Sequence, residues 1–242
     1  MDNKTLLILG ASSDMGCSLI ENSIDKYDTI ICHYLHMNDR LKSLKEKYDD
    51  KMVMVQADFS DELSIAMMIE QIKKNGYKPT HIVHLPCLPV KYERFEKISN
   101  KDLKKALQIS LFSFIQVTQA FIADMRKNKY GKIVVMLTVC TIGVPPKFMP
   151  IYVTEKYALL GMVKALASDY ADKGIQINAV SPEMVDTKFL REIPDFVKQQ
   201  TAEQNPLKRI LKVEDVVPTI TYLLSEEAAC ITGQNIAITA GK

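Results

Sequence analysis

Hydrophobic residues in this chain form short unbroken runs, separated by longer stretches in which apolar positions recur every three or four residues. The runs at 6–9, 29–34, 52–56, 81–85, 132–137, 176–180 and 235–239 have the length and continuity of strands buried on both faces. Between them, 15–24, 39–48, 62–74, 103–127, 155–171 and 213–224 carry the spacing of helices with one apolar face. Parallel strands need a crossover connection, and strands apolar throughout need a helix layer on each side. The pattern therefore predicts an α/β fold spanning 1–242 as one domain: a doubly wound parallel sheet, Rossmann-like, with helices on both faces. Segment 186–206 breaks the alternation before the final helix and is long enough to be a substrate lid. No repeat, low-complexity linker or composition shift marks a second domain.

Composition narrows the function classes. With 47% apolar and 25% charged residues the chain reads as globular, and a net charge of +2 with dispersed cations lacks the concentrated basic footprint of a nucleic-acid binder. The start of the chain has no signal-peptide pattern, and no apolar run approaches the roughly 18 residues of a membrane span. A cytoplasmic protein with no membrane partner is expected. Cys17, Cys32, Cys87, Cys140 and Cys230 are odd in number and form no Cys-x-x-Cys pair, which suits reduced thiols. With His33, His36, His81 and His84 they make no ligand pattern, so no metal is expected.

The first candidate site is the turn Gly10-Ala11-Ser12-Ser13-Asp14-Met15-Gly16, between the first strand and first helix. A dinucleotide pyrophosphate can meet free backbone N–H groups and the positive end of a helix dipole there. Gly10 permits the tight turn and Gly16 close helix packing, which assigns Gly10, Ser12, Ser13, Asp14, Met15 and Gly16 to the cofactor. Asp14 stands where a middle glycine is usual, and its carboxylate is expected to cap the helix start. The second strand ends without the acid that would hold the ribose 2′-hydroxyl of NAD. His36, Arg40 and Lys42 follow, which favours NADP, with NAD the alternative. Asp58 and Phe59 follow the third strand at the sheet edge where adenine should lie; Asp58 could instead cap the next helix.

The second candidate is Tyr152-Val153-Thr154-Glu155-Lys156, whose four-residue spacing places phenol and ammonium on one helical face. An ammonium about 4 Å from the phenol, worth ~4 kcal/mol at an effective dielectric of 20, would lower its pKa by about three units from ~10. That shift suits general acid–base work near neutrality.

From Lys132 onward the chain resembles the catalytic half of the short-chain dehydrogenase/reductases. The resemblance rests on Gly131-Lys132-Ile133-Val134-Val135, Thr138, Tyr152 with Lys156, Ile177-Asn178-Ala179-Val180-Ser181-Pro182 and Asp186-Thr187. With the Gly10 turn and Ile231-Thr232-Gly233-Gln234 it covers nearly the whole chain. It implies that Tyr152 is the proton donor, that Lys156 binds the nicotinamide ribose, that Thr138 fills the usual serine position, and that Ser110 aligns with the helix asparagine. Val185 and Thr187 would contact the nicotinamide. The family pattern is altered at His84-Leu85-Pro86-Cys87, Ser110, Thr138 and Glu183.

The expected activity is hydride transfer between NADP, or NAD, and a carbonyl or alcohol; a cofactor-binding scaffold or weakly active member of the fold is the alternative. Similarity to 3-oxoacyl-acyl-carrier-protein reductases makes a 3-oxoacyl thioester the first substrate to test, with Lys129 and Lys173 as basic residues that would face the carrier, or else plain solvated turn residues. Met184, Phe189, Leu190, Ile193, Phe196 and Val197, with Pro145, Pro146, Phe148 and Met149, would line an apolar pocket, or else pack the lid or an oligomer interface. The resemblance also implies a homodimer or homotetramer.

Overall fold

The computed structural model describes residues 4–242. Met1 to Asn3, part of the amino-terminal stretch read for a signal peptide, lie outside the described residues.

Seven strands, β1 (Thr5–Leu9), β2 (Thr29–Tyr34), β3 (Met52–Gln56), β4 (His81–His84), β5 (Gly131–Met136), β6 (Ile175–Pro182) and β7 (Asn235–Ile238), form one parallel sheet in the order β3-β2-β1-β4-β5-β6-β7. Strand order reverses between β1 and β4, which opens a crevice at their carboxyl ends. Helices α1 (Asp14–Ser23), α2 (Asp39–Lys47) and α8 (Val213–Leu223) cover one face. Helices α3 (Glu62–Lys74), α5 (Ser113–Asn128) and α6 (Pro150–Tyr170) cover the other. Each strand of the sheet's centre feeds alternate residues to opposite cores. Leu6 and Ile8 pack with Leu19, Ile20 and Val216, while Leu7 and Leu9 pack with Ile65, Phe114 and Phe121.

Three local features differ from the sequence reading. The helix expected over 103–127 is two, α4 (Asn100–Leu107) and α5, joined through a π-helical turn at Gln108–Phe112 that carries Ser110. Helix α6 begins at Pro150, which needs no N–H acceptor in the first turn, so Tyr152 sits inside the helix. The 186–206 segment contains a helix of its own, α7 (Asp195–Gln204). By length and composition alone, Asn100–Asn128 would be long and apolar enough to cross a bilayer. Its residues Phe114, Val117, Phe121, Ile122 and Met125 are packed on the sheet.

Candidate active site

The Gly10 turn is clamped by β2. The Gly10 N–H donates to His33 Nδ1 at 3.1 Å and the Ala11 N–H to the His33 carbonyl at 2.7 Å, while His33 Nε2 meets the Ala57 carbonyl at 3.1 Å. Nδ1 must therefore be bare and Nε2 protonated. Burial holds this imidazole down at about 4, below its ordinary value. Gly10 takes φ +84, a conformation open to glycine, and a Cβ on Gly16 would lie 2.6 Å from the Gly10 carbonyl oxygen. Helix α1 thus abuts the turn directly.

The expected role of Asp14 is corrected here. Ser13 caps α1, its Oγ accepting from the Gly16 N–H at 3.0 Å, whereas Asp14 Oδ2 accepts from the Lys188 N–H at 2.7 Å. A hydroxyl one residue before the helix reaches its third N–H more directly than the Asp14 carboxylate can. Asp14 and Met15, in the first turn, have no intrahelical acceptor for their N–H groups, which suits a pyrophosphate at this helix end. Asn38 completes the wall, donating to the Ser12 carbonyl at 2.5 Å.

Around the adenine end, His36 is exposed and Arg40 is engaged with Glu21 at 2.8 Å. Phe59 is buried and stacks on His33 with centroids 3.9 Å apart, so its ring is spent on the core. Asp58 does not cap α3; Asp61 does, and Asp58 Oδ1 accepts instead from the N–H and hydroxyl of Ser60. On the nicotinamide side, Val185 bridges Leu211, and the Thr187 hydroxyl donates to the Val185 carbonyl at 3.3 Å.

Thr138, Tyr152 and Lys156 meet beyond the carboxyl end of β5. Thr138 Oγ1 accepts from the Cys140 N–H at 3.4 Å, and its hydroxyl stands against the Tyr152 phenol. Lys156 is buried and donates to the Met136 carbonyl at 3.0 Å, its Nζ standing 5.8 Å from the Tyr152 ring centre. The phenol pKa lies well above its ordinary range, because burial dominates, with Cys87 next; the Thr138 hydroxyl opposes the rise. The lowering expected from Lys156 is thus absent in this state. Its ammonium is turned toward Met136, and the buried phenol is surrounded by Cys87, Cys140 and the Thr138 hydroxyl.

Ser110 is fully buried, and its hydroxyl meets the Ala106 carbonyl at 2.8 Å and Glu155 Oε2 at 3.3 Å, rather than Lys156. Glu155 was missed in the sequence reading. Its signal was there: a charged residue at the third place after Tyr152, on the same helical face. Cys87, from the altered His84-Leu85-Pro86-Cys87 stretch, donates to Glu155 Oε1 at 2.8 Å. His84 is buried against Phe114, with neither ring nitrogen bonded to another side chain, and burial holds it at about 3. Glu183 is accounted for as well. Its Oε2 accepts from the buried Asn205 at 2.8 Å and its Oε1 from Lys242, tying the far end of the 186–206 segment to the sheet.

Leu190 and Ile193 are buried with Met149 and Val90, and Met184, Phe189, Val197 and Tyr152 pack around them. Phe196 is 70% exposed and faces away. Pro145, Pro146, Phe148 and Met149 line an open groove of about 670 Å³ beside Val153 and Thr154. Lys129 and Lys173 lie just before β5 and β6, at the sheet edge opposite these groups. Strands of that length, at about 3.3 Å per residue, keep both lysines some 20 Å from the mouth of this chain's site.

A doubly wound sheet with a phosphate turn at its switch point and a tyrosine–lysine pair across the crevice defines a dinucleotide-dependent oxidoreductase. A family model described as Enoyl-(Acyl carrier protein) reductase matches residues 25–242. The chain belongs to the short-chain dehydrogenase/reductase family, and is an NAD(P)-dependent oxidoreductase. It is 26% identical over 240 residues to the uncharacterized oxidoreductase YmfI of Bacillus subtilis, covering 99% of this chain and 98% of that protein. It is 28% identical over 246 residues to the 3-oxoacyl-[acyl-carrier-protein] reductase FabG of Aquifex aeolicus, covering 100% and 98%. Among solved structures, ElxO with NADP bound superposes with a TM-score of 0.88 at 22% identity, over 99% of this chain and 98% of that one. The NADPH-dependent reductase YwfH superposes with 0.89 at 20% identity, over 99% and 98%.

Proposed function

We propose that this protein reduces a ketone to a secondary alcohol with NADPH, and that its substrate is a 3-oxoacyl thioester. The observation that carries the reading is the convergence of Thr138, Tyr152 and Lys156 at the carboxyl end of β5, across the crevice from the Gly10 turn. The nicotinamide supplies the hydride. Tyr152 gives its proton to the carbonyl oxygen as charge develops there, and Thr138, beside the phenol, donates its hydroxyl proton to the same oxygen. Lys156, which donates to the Met136 carbonyl, would hold the cofactor's ribose, and its charge would stabilise the ionised tyrosine. Val185 and Thr187 would hold the carboxamide, and Asp58 and the Phe59 backbone would flank the adenine.

NADPH is preferred because no carboxylate closes β2 to repel a 2′-phosphate, and His36 is exposed beside it. The apolar contacts of Phe189, Leu190 and Met149 suit an acyl chain, and the 186–206 segment acts as the lid over it. Similarity to proteins named as 3-oxoacyl reductases supports the same substrate. Exposed Phe112 and Tyr157, on adjoining elements, offer apolar surface to a second copy in a cytoplasmic homodimer or homotetramer. The decisive test follows NADPH and NADH absorbance with a 3-oxoacyl thioester and a panel of simple ketones. Turnover with NADPH on the thioester is expected; tight cofactor binding with no turnover on any carbonyl would sink the enzymatic reading.

A further inference from the structure

Glu155 is a buried carboxyl group, 1% exposed, that the mechanism above does not use. Its oxygens are met by two neutral donors, the Cys87 thiol at 2.8 Å and the Ser110 hydroxyl at 3.3 Å. A carboxylate in such a place is poorly compensated, and a carboxylic acid is well accommodated. The surroundings serve both forms. Ser110 has one proton and two acceptors, Glu155 Oε2 and the Ala106 carbonyl at 2.8 Å. When Glu155 is ionised, Ser110 donates to it. When Glu155 is protonated, its O–H donates to Ser110 Oγ and Ser110 turns to Ala106, so no partner is stranded in either state. The π-helical turn at Gln108–Phe112 brings this hydroxyl to the glutamate.

The same carboxyl adjoins the reacting groups. Cys87 bonds Glu155 Oε1 at 2.8 Å, and Glu155 shares a face of α6 with Tyr152 and precedes Lys156, whose Nζ stands 5.8 Å from the Tyr152 ring centre. We propose that Glu155 is a positioning residue of the proton path, holding the proton that recharges Tyr152 through Cys87 and Lys156 after each reduction. This rests on the reductase reading above. In each turnover the phenol proton passes to the substrate oxygen, an alkoxide once its carbon has accepted hydride. The phenolate recovers a proton from the Lys156 ammonium. The resulting amine takes the Cys87 S–H proton, and the sulfur takes the proton of the Glu155 carboxyl. The carboxylate left behind is reprotonated from solvent, so each alcohol consumes one hydride and one solvent proton. Burial raises the Glu155 pKa, and Lys156 and the hydrogen bonds from Cys87 and Ser110 oppose the rise. The other groups facing this path are Tyr152 on α6, Ser110 on the π turn, and neutral His84 at the end of β4.

The test compares wild type, Glu155→Gln and Glu155→Asp in the pH dependence of kcat for reduction. Wild-type kcat should fall as pH rises through the Glu155 pKa, because the store is then empty. Glu155→Gln should lose roughly tenfold in kcat near neutrality, a fraction of what a direct acid contributes, with KM little changed and that inflection gone. Glu155→Asp should keep an inflection. A Gln variant with the wild-type rate and profile would overturn the proposal. Infrared difference spectra of the cofactor-free wild type, titrated over the same range, give a readout independent of turnover. They should show a carboxyl band titrating above the ordinary glutamate value of about 4.3. Absence of such a band overturns the proposal whether or not the Gln variant folds. Failure of the reductase reading looks different: no carbonyl substrate is turned over, while the infrared titration still decides the state of Glu155.

Discussion

The two ends of the site are built from different materials. At the phosphate end the chain offers backbone: N–H groups of a helix start, fixed by Gly10, Gly16 and one neutral histidine. At the chemical end it offers side chains from three separate parts of the chain, with Cys87, Ser110, Glu155 and Lys156 gathered behind Tyr152. Backbone geometry is set by local steric rules, whereas a buried side-chain cluster depends on each partner being present. The chemical end should therefore respond to deletion of single atoms, and the phosphate end to changes in shape.

The largest effect is expected at Tyr152. Tyr152→Phe removes one hydroxyl and keeps the ring against Phe189, so turnover should fall by about 100- to 10,000-fold while NADPH affinity stays within a few-fold, read by steady-state kinetics and cofactor fluorescence. Retention of more than about a tenth of the rate would move the proton donor elsewhere and dissolve the contrast.

At the phosphate end, Gly16→Ala adds a single methyl that would lie 2.6 Å from the Gly10 oxygen. Overpacking of this kind costs roughly 1–3 kcal/mol, and because the strain falls on the turn itself, NADPH affinity should drop by about tenfold or more. Gly161→Ala is the control, since its Cβ meets nothing within 4 Å in α6, and it should stabilise by about 0.5–1 kcal/mol. Equal behaviour of the two variants in thermal unfolding and cofactor titration would show that contact with the turn is not what fixes Gly16.

A smaller and more distributed effect is expected in acid. His33 is held at about 4, and His81 and His84 at about 3, each by burial, against an unfolded value near 6.5. The unfolded chain binds these protons first, so their contribution is complete above about pH 6.5 and is lost as pH falls toward 4, by up to about 1.4 kcal/mol per pH unit for each histidine. Urea unfolding at several pH values between 7.5 and 4.5 should show stability falling with acidity, and His84→Asn should make the fall shallower. A flat profile would mean that these imidazoles titrate in the folded protein as they do in the unfolded chain.

Much of this architecture was legible beforehand because it follows from short-range rules. Continuous apolar runs alternating with helical spacing permit little but a covered parallel sheet, and all seven strands lie where those runs occur. Gly10, Tyr152 and Lys156 were readable for a related reason: a turn that needs glycine and a pair spaced by one helical turn are local patterns. The split of the 103–127 helix was not, because a π turn is favoured by what its side chains meet across space, here Ser110 and Glu155. Asp14 was read as a cap because its neighbours in sequence made it one, yet its partner is Lys188, brought in by the fold. By itself, then, the sequence determined the elements, their order and the residues whose chemistry is set within a single turn. Only the tertiary structure decided which buried polar groups face one another, since Cys87, Ser110 and Glu155 come from distant parts of the chain and their energetics exist only once water has been excluded from among them.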